Sequence, residues 1–180
     1  MTDRLVPVEE PGDVPERYGG TPVGRLLAYH NLGAPPDAYD RAELLVGTCM
    51  DHRVRLRMPE RFAYVLRTGG GNLRGHDFEV SFAVSVGGVD AVALIGHSDC
   101  GMARVTEAGE AFVEGLEAGA GWDAEEAAAH FRGQAPGREI GDPVAFTLSE
   151  AERLRRTYPE VLVAPLHYRV DDGRLYLIRE

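Results

Sequence analysis

The chain contains no lysine: all 19 of its basic residues are arginine. That excludes a phosphate-binding loop built on Gly-Lys-Ser/Thr, and it excludes Schiff-base chemistry on a protein lysine. Cysteine is nearly as scarce, with two in 180 residues, too few for a disulfide framework. No apolar run approaches the roughly 20 residues needed to cross a bilayer. The first stretch is acidic and rich in Pro and Gly, unlike a secretory leader. Basic charge is also in deficit: 29 acidic residues give a formal net charge of −10, which argues against nucleic acid and anionic membrane surfaces as partners. The expectation is a soluble, cytoplasmic, single-domain chain whose two cysteines are free thiols or metal ligands.

Two stretches stand out. Leu44 to Arg53 reads L-L-V-G-T-C-M-D-H-R, and Ala93 to Met102 reads A-L-I-G-H-S-D-C-G-M. Each is a short apolar run that ends at a polar cluster, the pattern of a buried parallel strand reaching its C-terminal end. In open α/β sheets ligands bind in the crevice outside those ends. Cys49 and Cys100 both sit there, with His97 three residues before Cys100. Two thiols and an imidazole fit a catalytic zinc with one position left open, although two buried thiols are also common as plain core residues. If the chain stays extended, Cys49, Asp51 and Arg53 alternate onto one face. His97 and Cys100 are spaced so that one helical turn brings them together. Cys100 then lies near a helix N-terminus, where a thiolate is favoured and where Asp99 is suited to cap. On this pattern His52 points away from the site, and Asp51 with Arg53 is either a supporting pair or a surface ion pair.

The rest of the chain supplies an α/β frame. Residues 1–43 read as an N-terminal arm with a short helix over Pro22 to His30 and a further turn over Ala38 to Glu43, separated by Pro35-Pro36. Strands are predicted over Leu44 to Thr48, Phe62 to Arg67, Ala91 to Ile95 and Val161 to Ala164. His76 to Val86 reads as an amphipathic helix with Phe78, Phe82 and Val86 in one stripe. Two exposed helices are expected over Val105 to Glu117 and Asp123 to Phe131, where seven acidic residues stand between Glu107 and Glu126. Asp142-Pro143 opens a helix running to about Tyr158, with Val144, Leu148, Ala151 and Leu154 facing inward. Asp171-Asp172-Gly173 is a turn before a final strand over Leu175 to Ile178. The fold class is therefore α/β: one domain, a mostly parallel central sheet flanked by helices, and an antiparallel C-terminal strand.

With these residues in view, C-x-D-x-R at Cys49, Asp51 and Arg53, followed by H-x-D-C-G-M from His97, resembles the zinc signature of short-form β-class carbonic anhydrases. Arg67-Thr68-Gly69-Gly70-Gly71 is similar to that family's R-N-A-G-G loop, with Thr and Gly in place of the usual Asn and Ala. Ser81 falls where the subgroup often has a serine, and Leu166 to Ile178 resembles its closing hairpin. The resemblance implies zinc-dependent reversible hydration of carbon dioxide to bicarbonate by residues 44–180. Cys49, His97 and Cys100 would hold Zn2+, Asp51 would orient the attacking water, and Arg53 would hold Asp51 off the metal. It also implies a homodimer or a multiple of one, with the N-terminal segment reaching over a neighbouring subunit. Carbonyl sulfide or carbon disulfide hydrolysis on the same site, and a zinc-holding scaffold without turnover, are the alternatives. His76, near the glycine turn, is a candidate proton shuttle.

Overall fold

Two almost unbroken apolar runs become the centre of the molecule. In the computed structural model, which describes residues 4–180, β2 (Leu44–Cys49) and β4 (Ala91–His97) are buried at every position. They pair in parallel, Leu45 opposite Val92 and Thr48 opposite Ile95. A strand covered on both faces cannot alternate apolar with polar, which is why these runs are continuous. β3 (Ala63–Thr68) extends the sheet on one side and β5 (Leu162–Arg169) on the other, both in parallel. β6 (Arg174–Ile178) turns back antiparallel to β5. β1 (Leu5–Pro7) pairs antiparallel with β6, completing a six-stranded sheet in the order β1-β6-β5-β4-β2-β3. The expected fold is thus observed, with β1 added. Three residues ending in proline carry no period that could announce a strand. The first three residues of the arm lie outside the described residues.

Alternation through β2 and β4 divides the core. Leu44, Val46, Ala93 and Ile95 pack with Leu26 and Leu27 of α1 (Pro22–Asn31) on one face. Leu45, Val92 and Leu94 pack with Val80 of α2 (Asp77–Ser85) and Leu154 of α5 (Pro143–Thr157) on the other. Thr21 caps α1 through the Gly24 N–H, and Asp142 caps α5 through the Ala145 N–H at 2.7 Å, as Asp-Pro predicts. Asn31 of α1 clasps the sheet edge, bonding the carbonyls of Val8 and Leu175 and the Leu175 N–H. Between β4 and α5 the chain leaves the sheet through a 3₁₀ segment (Gly101–Ala108). It then forms a hairpin of α3 (Gly109–Ala120) and α4 (Ala124–Gln134). No helix among the described residues is long and apolar enough to cross a membrane.

Three local expectations are corrected. Ala38 to Glu43 forms no helical turn; it runs irregularly, and the Glu43 N–H donates to the Phe62 carbonyl. α2 forms where expected, but Val80 and Ala83 are its buried residues, while Phe78, Phe82 and Val86 are exposed at 78%, 49% and 68% of their surface. On α5, Thr147 and Glu150 are buried beside Ala151 and Leu154. Glu150 is tolerated there because Arg153 (2.7 Å) and Arg74 (3.3 Å) pair with its carboxylate.

Candidate metal centre

β2 and β4 lie side by side in the same direction, so their C-terminal ends deliver Cys49 and His97 to one place. After His97 the chain does not make the helical turn that the spacing suggested. Asp99 adopts a left-handed conformation (φ 55°), and Cys100 precedes the 3₁₀ segment as its N-cap residue. The N-cap position thus falls to Cys100 rather than to Asp99, whose carbonyl accepts from Arg53 Nη2 at 2.9 Å. The outcome is the predicted cluster by a different local path. One donor atom each from Cys49, His97 and Cys100 lies within 4.8 Å of the others, all three residues are buried, and the two sulfurs are 4.0 Å apart.

The donor chemistry fits a metal. His97 Nδ1 donates to the Ser98 carbonyl at 2.8 Å, which leaves Nε2 as a bare acceptor. That Nε2 is buried and has no hydrogen-bond partner among the described residues. A buried polar atom left orphaned is rare and calls for an occupant. Two sulfurs and one imidazole nitrogen suit zinc with one further position available. Cys49 Sγ also receives the Gly70 N–H at 3.3 Å. The hydrogen bond from Cys100 holds the Cys49 thiol well below its ordinary range, against the opposing effect of burial, with His97 and backbone N–H groups adding to it. Cys100 is pushed up by its interaction with Cys49 and by burial. The pair therefore gives up one proton readily, and a cation is what would release the second.

Asp51 and Arg53 reach the site through a turn. β2 ends at Cys49, and the Arg53 N–H donates to Asp51 Oδ1 at 2.9 Å, with the Val54 N–H closing on the Asp51 carbonyl. The extended run expected after Cys49 is therefore replaced by a tight bend. Arg53 meets the carboxylate as a fork, Nη2 to Oδ2 at 2.8 Å and Nε to Oδ1 at 3.1 Å. These bonds hold the Asp51 carboxyl well below the usual carboxylate range. Its Oδ2 stands 4.0 Å from His97 Nε2. His52 is exposed, as expected of the residue that points away.

The remaining wall comes from the glycine turn and from the segment before α5. Met102, Phe146 and Ile140 pack with the two cysteines into a small apolar cluster. Spacing alone gave no notice of Ile140 or Phe146, which lie 40 and 46 residues beyond Cys100. Gly70 and Gly71 carry positive φ (69° and 71°), so the turn needs glycine there. Arg67 bonds the carbonyls of Cys49 (2.9 Å) and Val54 (3.0 Å), tying β3 to the bend that carries Asp51. Ser81 bonds the Tyr158 hydroxyl at 2.8 Å, joining α2 to the end of α5. His76 stands at the start of α2 with Nδ1 3.9 Å from Glu79. His167 on β5 is buried, its Nδ1 without a partner among the described residues.

A mostly parallel sheet presenting two cysteines, a histidine and a clamped carboxylate at adjacent strand ends defines an α/β protein with a metal-type centre. Comparison with solved structures places the fold more narrowly. A carbonic anhydrase from Streptococcus mutans superposes with a TM-score of 0.60 at 20% identity, over 84% of this chain and 92% of that one. A β-carbonic anhydrase, isoform I, from Trichomonas vaginalis gives 0.63 at 16% identity, over 82% and 90%. The apo form of a carbon disulfide hydrolase gives 0.54 at 23% identity, over 80% of each chain. The chain thus has the fold of the β-carbonic anhydrases. No protein-family model matches it, and no curated protein matches it by sequence.

Proposed function

We propose that this protein is a zinc-dependent carbonic anhydrase that interconverts carbon dioxide and water with bicarbonate and a proton. Cys49, His97 and Cys100 are the metal ligands, and Asp51 and Arg53 the catalytic pair. The observation that carries the reading is the convergence of three buried donor atoms within 4.8 Å, with a fixed carboxylate beside them. When bound, zinc supplies a Lewis acid that lowers the pKa of a water. The protein's own part is orientation. Asp51 stays ionised and accepts a hydrogen bond from the attacking water, turning its lone pair toward the carbon of carbon dioxide. Arg53 occupies both Asp51 oxygens and so keeps that carboxylate from closing the open position. The proton leaves to solvent, and bicarbonate departs as an anion.

Residues 44–180 form the catalytic domain in this reading, with 1–43 as its arm, and two free thiols suit the cytoplasm. The working unit is a homodimer. Phe78, Phe82, Tyr64 and Val65 expose an apolar face beside the outer edge of β3, around a groove of about 390 Å³. A contiguous face of this kind is an association surface. A second copy seated there also accounts for the outward stripe of α2.

The structural likeness to a carbon disulfide hydrolase favours one further reading, hydrolysis of carbon disulfide or carbonyl sulfide on the same centre. Zinc analysis with parallel hydration assays on carbon dioxide and the two sulfur substrates separates the possibilities. Turnover of carbon dioxide alone or foremost supports the proposal. Preference for a sulfur substrate transfers the site to that chemistry, and stoichiometric zinc with no turnover makes it a scaffold.

A further inference from the structure

Gly69 is the one residue of the turn whose glycine is not demanded by its backbone. Unlike Gly70 and Gly71, it does not have a positive φ. What it lacks is room: a Cβ there would stand 3.1 Å from Met102 Sδ and 3.4 Å from Met102 Cγ. A Cβ on Gly70 would meet Ile140 Cδ1 and Cγ2 at 2.9 Å and Met102 Cβ at 3.2 Å. Met102 and Ile140 are themselves joined, the Ile140 N–H donating to the Met102 carbonyl at 3.0 Å. Both pack on the cysteines, and the same turn donates the Gly70 N–H to Cys49 Sγ.

We propose that Met102 and Ile140, seated against the bare backbone of Gly69 and Gly70, form an apolar seal over the two cysteine sulfurs, and that Gly69 is the positioning residue that lets the seal close. The inference rests on the reading of Cys49 and Cys100 as metal ligands. Close-packed side chains narrow the path for water and solutes on the side of the sulfurs that they cover. Metal held by covered sulfurs leaves slowly, because a competing ligand must first open the wall. An alanine at position 69 would stand 3.1 Å from Met102 Sδ, so Met102 must give way by a few tenths of an ångström and its packing on the sulfurs loosens. Met102→Ala opens the same wall from the other side.

The test uses the zinc-loaded full chain and follows metal transfer to an excess of a colorimetric chelator. The same variants, freed of metal, are then alkylated with a neutral maleimide. Gly69→Ala and Met102→Ala should each speed both processes by about tenfold or more, the scale that overpacking and lost packing allow. The double variant should be no faster than the faster single one, because both changes open one seal. Met102→Leu, which keeps the apolar volume, should stay near the wild-type rates. Unchanged rates in Gly69→Ala, or effects that simply multiply in the double variant, would overturn the proposal. If Gly69→Ala does not fold, equal rates for Met102→Ala and Met102→Leu would overturn it as well. A chain that holds zinc without hydrating carbon dioxide removes the proposed function and leaves the seal standing. If the chain takes up no zinc, alkylation of the metal-free protein still decides the matter.

Discussion

Arg53 closes on Asp51 as a two-pronged fork and extends Nη2 a further 2.9 Å to the carbonyl of Asp99, the residue before Cys100. One guanidinium thus joins the bend after the first cysteine to the bend before the second. It fixes the carboxylate and spans the two strand ends that carry the donors.

Removing that guanidinium should free Asp51 to take the open metal position. Arg53→Ala is expected to keep its zinc, to fold, and to lose nearly all carbon dioxide hydration. Asp51→Ala should leave the position open and lose only the orienting acceptor, a fall of about 10²-fold in kcat/KM. Stopped-flow hydration beside zinc analysis measures both. Wild-type activity in Arg53→Ala at every pH would reduce the pair to a structural ion pair.

The bend itself marks the limit of what sequence spacing conveys. Continuous apolar runs ending at Cys49 and His97 made the two strand ends legible, because burial on both faces leaves no other composition for a parallel strand. The path after Cys49 was not legible. It depends on an N–H of Arg53 finding the Asp51 side chain, a two-residue choice that no periodicity records. The α2 stripe misled for a related reason. A 3.6-residue period shows that a helix has an apolar stripe but not what lies against it, and Phe78 and Phe82 stand exposed. Ile140 and Phe146 reach the cysteines only through the tertiary fold, after the long α3–α4 excursion.

The exposed stripe gives the second prediction. Phe78→Asp with Phe82→Asp should shift the protein from dimer to monomer in sedimentation velocity at micromolar concentration. Their removal costs this chain little core, since Val80 and Ala83 form the buried face of α2. An unchanged sedimentation coefficient would place the dimer contact elsewhere, and a wild-type monomer would refute the dimer.

His167 supplies a prediction about acid stability. Burial first, and then repulsion from His97 when that ring is protonated, lowers it to about 4, with Arg169 acting the same way and Asp142 opposing. The folded value lies below the ordinary histidine value of about 6.5, so the fold holds the ring neutral. The stability this provides is complete above about pH 6.5 and is lost as pH falls toward 4. The loss should reach about 3 kcal/mol at most. Denaturant unfolding of metal-free wild type and His167→Gln across that window checks it. The glutamine variant should lack this part of the slope; identical pH dependence would show that His167 does not titrate with folding.

A fourth prediction concerns the ligands. Cys49→Ser, Cys100→Ser and His97→Ala should each reduce bound zinc below one per chain after dialysis, because each leaves only two of the three converging donors. Zinc uptake should also release protons, since thiol protons must leave before a metal binds. Isothermal titration in buffers of different ionisation enthalpy reads that release directly. Full zinc retention in Cys49→Ser would remove Cys49 from the ligand set.

Carbon dioxide hydration by the zinc-loaded chain, followed by stopped flow from the acid to the alkaline side of pH about 7, tests the central claim most directly. Two thiolates cancel the charge of a divalent ion, so the centre is formally neutral and acidifies water less than three neutral histidines do. One zinc per chain is therefore expected, with a rate that rises through the alkaline side and is absent in Cys49→Ser. A protein carrying one zinc per chain whose hydration rate never exceeds that of buffer, at any pH, would contradict it.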